Sequence, residues 1–485
     1  MADLVILGMT ANRRENMPEL PEVETVKNVL IPIVSGHTIT KIDVLRKTTI
    51  QGDINEFVSS LVGEKFLDIS RIGKFLIFHL SNDKVIISHL RMEGKYYEYK
   101  EEEPDSKYAR VVFHLDNNHK LCYDDSRCFG IMILSNEENY RKEKEIAKLG
   151  PEPFDISDVD FLLKANKNKK LPIKNTLLDQ SLITGLGNIY VDEVLYASNI
   201  HPLTPANKIT KQEWLKIVDN AKKILSIAIE MGGSTIKSYH PGKDIDGNFQ
   251  TRIKIYGKSG ENCPTCGSTY RFIKVGGRGT TFCPKCQQKI GAPINVAVTG
   301  KIASGKSTFL EICKKENIPT LSSDEIVSEL YKQDAVVNEI EKLLKIQFKN
   351  HILDRKALTE NILLNPKNKK KLEKYIHGLV LKEIKNFLAN EKSPIRVVEV
   401  PLLFEAKMDN LFDTIVVVDI DEDKQNKLLQ ARNGEKAMIL KELNSHNKID
   451  ENKNKALYLI SNDGSISDLE KKCHQVINKL RDRLG

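Results

Sequence analysis

Along Thr38–Val44 of this 485-residue chain, apolar side chains fall mainly at alternate positions. That is the period at which one face of a β-strand points into a core. Thr38–Val44 reads as the first such strand, with a slip between Ile39 and Ile42 that marks a bulge. Arg71–Leu80 and Lys84–Leu90 read as a hairpin turning through Ser81-Asn82-Asp83, and Arg110–Leu115 and Lys120–Tyr123 as further strands. Many short strands joined by polar turns predict a β-sandwich. One helical stretch precedes them, opened by Pro21 with Glu22 and Glu24 in its first turn. Beyond about Leu149 the pattern becomes helical. It changes again at Pro293–Val298, a buried-strand run that Ile395–Val400 and Thr414–Asp419 repeat between helical stretches. That alternation predicts a parallel α/β domain.

Composition narrows the class without deciding it. The length implies three or more domains at ~100–200 residues each. Lys plus Arg number 74 against 66 for Asp plus Glu, a net charge of +8, which suits a polyanionic partner without requiring one. No apolar run approaches the ~20 residues of a membrane span. Four of the eight cysteines form two CxxC pairs, whereas Cys122, Cys128, Cys313 and Cys473 have no evident partner. This usage favours a metal site in a reducing, cytoplasmic setting over a disulfide framework.

Four stretches bear on chemistry. In Met17-Pro18-Glu19-Leu20-Pro21-Glu22-Val23-Glu24-Thr25, Pro18 becomes a secondary amine if the chain is trimmed to begin there. Such an amine attacks a sugar's anomeric carbon and collapses to an iminium. The same residues also read as the plain start of a helix. Residues 1–16 read as an upstream start or a dispensable leader, and retaining them leaves Pro18 without a free amine. Next, Cys263-Pro264-Thr265-Cys266 and Cys283-Pro284-Lys285-Cys286 are separated by 16 residues, which suits one tetrahedral structural Zn²⁺ on a β-hairpin. Arg278 sits at the glycine-rich tip between them, suited to reaching a phosphate. A protein-binding zinc ribbon is the rival reading. Finally, Gly300-Lys301-Ile302-Ala303-Ser304-Gly305-Lys306-Ser307 fits the phosphate-cradling loop between a strand and a helix, with Lys306 on the terminal phosphates of ATP and Ser307 on Mg²⁺. A fourth stretch, Thr184-Gly185-Leu186-Gly187-Asn188, reads as a backbone approach to phosphate at a helix start, or as a tight turn between packed helices.

The order of MPELPEVET, RIGKFL around Lys74, HLRMEG (89–94), YDDSRCFG (123–130) and LGPEP (149–153) resembles the formamidopyrimidine-DNA glycosylase family over about residues 17–290. The resemblance implies excision of oxidised purines, formamidopyrimidine and 8-oxoguanine, from damaged double-stranded DNA, followed by lyase cleavage. Pro18 is then the nucleophile, Glu19 the acid/base at the sugar's ring oxygen, Lys74 the residue serving β-elimination, and Arg278 a δ-elimination or phosphate residue. Met92, Arg127 and Phe129 resemble the wedge that fills the hole left by an everted base. Lys170, Lys174, Asn188 and Arg110 are implied DNA contacts. Gly232–Thr235 and the loop to Gln250 resemble a cover over that base. Thr281 stands where many members have histidine.

Beyond residue 291, VAVTGKIASGKST, Ser323-Asp324-Glu325-Ile326, Leu353-Asp354-Arg355, PLLFE (401–405) and Ser461-Asn462-Asp463-Gly464-Ser465 resemble dephospho-CoA kinase. This implies ATP-dependent phosphorylation of dephospho-CoA's ribose 3′-hydroxyl, with Asp324 accepting the proton, Arg432 in the lid and Asn462 at the nucleoside. Ser322, Leu428 and Gly378 depart from the family's usual aspartate, arginine and proline. The expected architecture is multidomain: a β-sandwich (17–150), a helix-two-turns-helix module (151–250), a zinc-finger hairpin (251–290) and an α/β P-loop kinase domain (291–485), in a monomer. The alternative is a non-catalytic, zinc-dependent DNA-binding protein fused to a kinase of other substrate.

Overall fold

A computed structural model of the chain describes residues 17–234, 248–433 and 448–484. They fall into two compact units. The first runs to Ser198 and adds Ile209–Lys258 and Ile273–Thr281; the second takes Asn199–Lys208, Ser259–Phe272 and the chain from Phe282 onward.

The first unit opens with a helix at Leu20–Val34, followed by β1 (Ile39–Val44), β2 (Ile50–Gln51), β3 (Phe66–Ile72), β4 (Phe75–Leu80), β5 (Lys84–His89), β6 (Lys95–Lys100), β7 (Ala109–Leu115), β8 (His119–Asp124) and β9 (Ile131–Asn136). They form one sheet in the order β1-β7-β8-β6 and a second in the order β2-β9-β5-β4-β3. Every pairing is antiparallel except β2 with β9. One core joins both sheets and the opening helix, drawing Phe113, Leu121 and Tyr123 from the first sheet, Phe66, Phe78 and Met132 from the second, and Val23 and Leu30 from the helix. The opposite face of the second sheet is also apolar, with Phe75, Ile77, Val85, Ile87, Ile131 and Ile133 packing into a separate cluster with Tyr140 and Ile146.

The bulge expected in the first strand is present as a register break between Ile39 and Lys41. The single strand expected over Arg71–Leu80 is not. Arg71 and Ile72 end β3, and β4 starts only at Phe75. Gly73, at φ +59°, takes the left-handed backbone that turns the chain between them. The helices that follow include Asp160–Asn166, Ile173–Leu177, Asn188–Ser198 and Lys211–Glu230, the last capped by Thr210 and Glu213 and burying Trp214.

A hairpin, β10 (Arg271–Val275) and β11 (Arg278–Phe282), gives its tip to the first unit and its base to the second. The second unit's sheet contains β12 (Ile294–Gly300), β13 (Thr320–Ser322), β14 (Ile395–Glu399), β15 (Thr414–Asp419) and β16 (Tyr458–Ser461), all parallel, in the order β13-β14-β12-β15-β16. Val296, Val298, Val397, Val416 and Val418 enter one core, and Ala297, Val398, Ile415 and Val417 enter another. Both faces of the sheet are therefore covered by helices, which is why its strands read as nearly unbroken apolar runs. The carboxyl ends of the strands converge on residues 300–306, where an α/β sheet binds its ligand.

Candidate active sites and metal centre

The first site grows from the start of the Leu20–Val34 helix and the glycine loop before Asn188. Leu20 N–H donates to the Gly185 carbonyl at 3.1 Å. Glu19, only 2% exposed, accepts N–H groups from Gly187 at 2.6 Å and Ile189 at 2.9 Å. A Cβ on Gly187 would overlap the Glu19 carboxyl. These donors are the free amides of a helix N-terminus. They were expected to face a phosphate, but those of Gly187 and Ile189 bind the chain's own carboxylate. Burial outweighs them, pushing Glu19 up to about 7, while Lys74's charge pulls the other way. Glu22 supports Glu19, accepting its backbone N–H at 3.0 Å. The other Glu22 oxygen accepts the Tyr190 hydroxyl at 2.7 Å and both the N–H and hydroxyl of Ser234 at 2.8 Å.

Lys74 is buried in the β3–β4 turn and donates to the Leu186 carbonyl at 2.8 Å. Burial holds its pKa below the ordinary lysine value; Glu19 opposes that shift and the positive charge of Arg278 reinforces it. Glu152 fixes the turn. It takes both guanidinium ends of Arg71, at 2.6 and 2.9 Å, and the Gly73 N–H at 2.7 Å. Arg71 also donates to Glu24 at 2.7 Å and to the Gly73 carbonyl at 2.9 Å. Four sequence stretches thus meet at one place: Pro18–Glu24, Arg71–Lys74, Glu152 and Thr184–Asn188. Glu152 lay inside a motif, but nothing in its spacing foretold that it would cap this turn.

The residues expected to touch DNA divide into exposed and enclosed groups. Phe129 is 54% exposed, with the Arg127 guanidinium 5.1 Å from its ring centre. Their loop is tied down by buried Asp125, which accepts N–H groups from Arg127, Phe129 and Gly130 at 2.9, 2.8 and 2.7 Å. Arg110 holds the same loop by donating to the Asp125 carbonyl at 2.7 Å. Met92 is half-buried, and Lys170 and Arg278 are exposed. Lys174, expected at a phosphate, is fully buried instead. Its ammonium binds Asp192 at 2.6 Å and the Gly279 carbonyl at 3.1 Å. Asn188 donates to the same carbonyl at 3.2 Å. Both therefore hold the strand that presents Arg278. Residues 235–247, within the stretch expected to be a cover, and residues 1–16, expected to be an upstream start or leader, lie outside the described residues.

The four sulfurs of Cys263, Cys266, Cys283 and Cys286 lie within 4.8 Å of one another. Cys266 and Cys283 are 3.4 Å apart, Cys263 and Cys286 3.8 Å. A tetrahedron with Zn–S bonds of about 2.3 Å has edges of about 3.8 Å, so the donor set fits Zn²⁺. Zinc held by four thiolates has no open position, and its contribution here is to hold the loops together.

In the second unit, Gly300 and Gly305 permit the tight phosphate-loop path: a Cβ on Gly300 would strike the Val418 carbonyl, and Gly305 adopts φ +106°. Lys306 is buried at the start of its helix and donates to the Gly300 and Lys301 carbonyls at 3.0 Å each. Asp324 is exposed in the first turn of the helix Ser323–Leu330, and Ser307 is exposed beside Lys306. Asn462, expected at the nucleoside, is enclosed beneath the loop. It donates to the Ser304 carbonyl at 2.9 Å and accepts from Lys424 at 2.7 Å. Arg432 lies in the last turn of the helix Glu422–Asn433, its side chain outside the described part. Among the described residues no helix is long and apolar enough to cross a membrane.

Residues 17–132 match the formamidopyrimidine-DNA glycosylase N-terminal domain, 149–240 the H2TH domain of that family, and 260–289 a zinc finger found in FPG and IleRS. Residues 294–468 match dephospho-CoA kinase. The formamidopyrimidine-DNA glycosylase of Lactobacillus helveticus is 44% identical over 272 residues, 56% of this chain and 99% of that protein. Its counterpart in Mycoplasma mobile is 43% identical over 273 residues, with the same coverage. A crystal structure of Lactococcus lactis Fpg with abasic-site DNA matches at TM-score 0.52 and 37% identity, covering 56% of this chain and all of that one. A complex of the same enzyme with DNA containing Fapy-dG matches at TM-score 0.52 and 38% identity.

Proposed function

We propose, from the premise that this chain belongs to the formamidopyrimidine-DNA glycosylase family and continues into a dephospho-CoA kinase domain, that one polypeptide excises oxidised purines from DNA and also phosphorylates dephospho-CoA. In the first reaction the Pro18 nitrogen, freed by removal of the residues before it, attacks C1′ of the damaged nucleotide. The glycosidic bond breaks and the base leaves. Glu19, a buried carboxyl whose pKa is raised by that burial, donates to the ring oxygen as the sugar opens to an iminium. The C2′ proton and the 3′ phosphate then depart with help from Lys74, and Arg278 contacts phosphate or serves the final elimination. Met92, Arg127 and Phe129 fill the space of the everted base.

One observation supports this reading above the others: Glu19, Lys74 and the Gly187 loop, 168 residues from Glu19, form a single buried arrangement. Unlike the Lys174–Asp192 pair, in which each group satisfies the other directly, Glu19 takes backbone N–H groups and Lys74 a backbone carbonyl. Lys174 and Asn188 are proposed to align the Arg278 strand, and Lys170 to meet the DNA backbone. We take the domains to be 17–150, 151–250, 251–290 and 291–485 and the active form to be a single chain.

In the second reaction Lys306 steadies the transferring phosphoryl group of ATP, and Asp324 accepts the proton of the ribose 3′-hydroxyl. Ser307 would hold Mg²⁺, whose charge would offset that of the phosphates. Both claims are tested on one preparation, by strand cleavage of an 8-oxoguanine duplex and by ADP release with dephospho-CoA. Cleavage without ADP release would remove the kinase half of the reading, and the converse would remove the glycosylase half.

A further inference from the structure

The helix Pro366–Asn390 of the second unit carries seven lysines and two glutamates. Leu372, Ile376, Val380 and Ile384 bury one side of it in the unit's core. At about 100° per residue, Lys367, Lys370, Lys371, Lys374, Lys382 and Lys385 fall within about 120° of the circumference, on the opposite side. All six are exposed. Among the described residues none of them has a carboxylate within ion-pair distance or another side-chain partner. Glu373 and Glu383 lie outside this stripe, toward the buried side.

Like charges three or four residues apart destabilise a helix, and Lys367, Lys370, Lys371 and Lys374 form four such pairs. A helix start also disfavours cations, because its amides already carry partial positive charge. Its first turn nevertheless contains no acid. Asn365 accepts the N–H groups of Lys367 and Asn368 at 3.1 and 3.3 Å, so the lysine side chains, and not these amides, are what the face offers. Gly378 lies within the stripe, exposed, and a Cβ there would meet nothing. Packing gives no reason for a glycine, which weakens a helix interior and elsewhere marks close approach to a ligand.

The 18 residues from Lys367 to Lys385 span about 27 Å of helix axis. A DNA duplex presents a negative charge about every 1.7 Å of its length, so its backbone matches a straight row of unpaired lysines. A nucleotide-sized anion would meet only one end of that row. Insertion into a membrane surface needs apolar side chains beside the cations, and no large apolar residue of this helix is exposed.

We propose that this face is a further DNA-contacting surface, along which the phosphate backbone of a duplex lies, supplying affinity independent of sequence and of any lesion. The choice of DNA as the polyanion rests on the glycosylase reading above.

The test is binding of an undamaged duplex by the full-length protein, read by fluorescence anisotropy across a salt titration. Changing Lys367, Lys370, Lys371 and Lys374 together to Gln should shrink the slope of log affinity against log salt by about 2 to 4, at about 0.9 per phosphate contact. Changing the same four to Arg should keep the wild-type slope. A control removes equal charge elsewhere in the unit, with Gln at the exposed Lys315, Lys407, Lys471 and Lys479, and should alter the slope by less than about 1. ADP release at the wild-type rate verifies that each variant is folded. Equal losses of slope in the two Gln variants would reduce the effect to net charge and overturn the proposal, as would an unchanged slope in the first. Phosphatidylglycerol vesicles form the second arm: if vesicle binding, and not duplex binding, needs the four lysines, the partner is a membrane and the proposal falls. If no form of the protein cleaves an 8-oxoguanine duplex while only the first variant loses slope, the glycosylase reading fails and this surface stands.

Discussion

Glu19 receives the Gly187 N–H at 2.6 Å, so its carboxyl closes the N-terminus of a helix that starts one residue after Gly187. Amides at such an end favour a negative charge, and burial opposes it. Burial prevails, and the group sits at about 7 instead of 4.5. The sign of the resulting linkage is fixed. From about pH 4.5 to 7 the unfolded chain has lost the Glu19 proton while the folded chain keeps it, so this residue lowers stability as pH rises and adds no further slope above about 7. Glu19→Gln should flatten that part of the curve, seen as a smaller fall in melting temperature across the window. Base excision by the same variant should drop on the order of 10²-fold or more, the usual contribution of a positioned acid. Unchanged excision would remove Glu19 from the chemistry.

Gly187→Ala places a methyl group where the Glu19 carboxyl lies. The variant should fold, because Gly187 keeps an ordinary backbone conformation, but Glu19 must shift. Single-turnover excision of 8-oxoguanine is expected to slow by about 10²-fold, with duplex affinity within threefold of wild type, about 0.6 kcal/mol. Equal rates in stopped assays of the two proteins would show that the contact has no catalytic consequence.

Removing zinc should affect more than DNA. Within the second unit, Arg271 at the base of the hairpin donates to the Phe412 carbonyl, and Lys289 lies 3.3 Å from the Asp413 carboxylate. Arg483 joins the Lys289 carbonyl, at 3.2 Å, to the Thr414 hydroxyl, at 2.6 Å. Those partners open β15, the strand whose far end supports the phosphate loop. Since metal binding supplies the finger's folding energy, chelation should abolish lesion binding and lower the ATP-sensitive melting transition by at least about 3 °C, some 1 kcal/mol for a unit of this size. A transition that stays in place after zinc loss is confirmed would contradict this.

Lys306→Ala should cost the kinase on the order of 10²-fold or more, because phosphoryl transfer depends on positioning and charge. Strand cleavage at a lesion should stay at the wild-type rate. Parallel assays of ADP release and DNA nicking check both halves at once.

Sequence patterning revealed β1, β5, β7, β8, β12, β14 and β15, the four cysteines and the phosphate loop, because each depends on local spacing, but it passed over β2, β6, β9, β13 and β16. It misjudged Arg71–Leu80, where apolar residues continue across a turn made by Gly73 and held by Glu152, 79 residues from Gly73. It also could not separate buried from exposed cations. Lys174 and Lys170 look alike in sequence, yet Asp192 enters a helix opposite the first and draws it into the interior.

The free amine of Pro18 is tested most directly by borohydride trapping on DNA with an 8-oxoguanine lesion, run on two forms of the protein whose intact masses have been measured. A form beginning at Pro18 should yield a covalent adduct, because the iminium is reducible. A form retaining residues 1–17 should yield none, since its Pro18 nitrogen is an amide. Equal trapping by both forms, with the longer one's mass unchanged through the assay, would contradict the assignment.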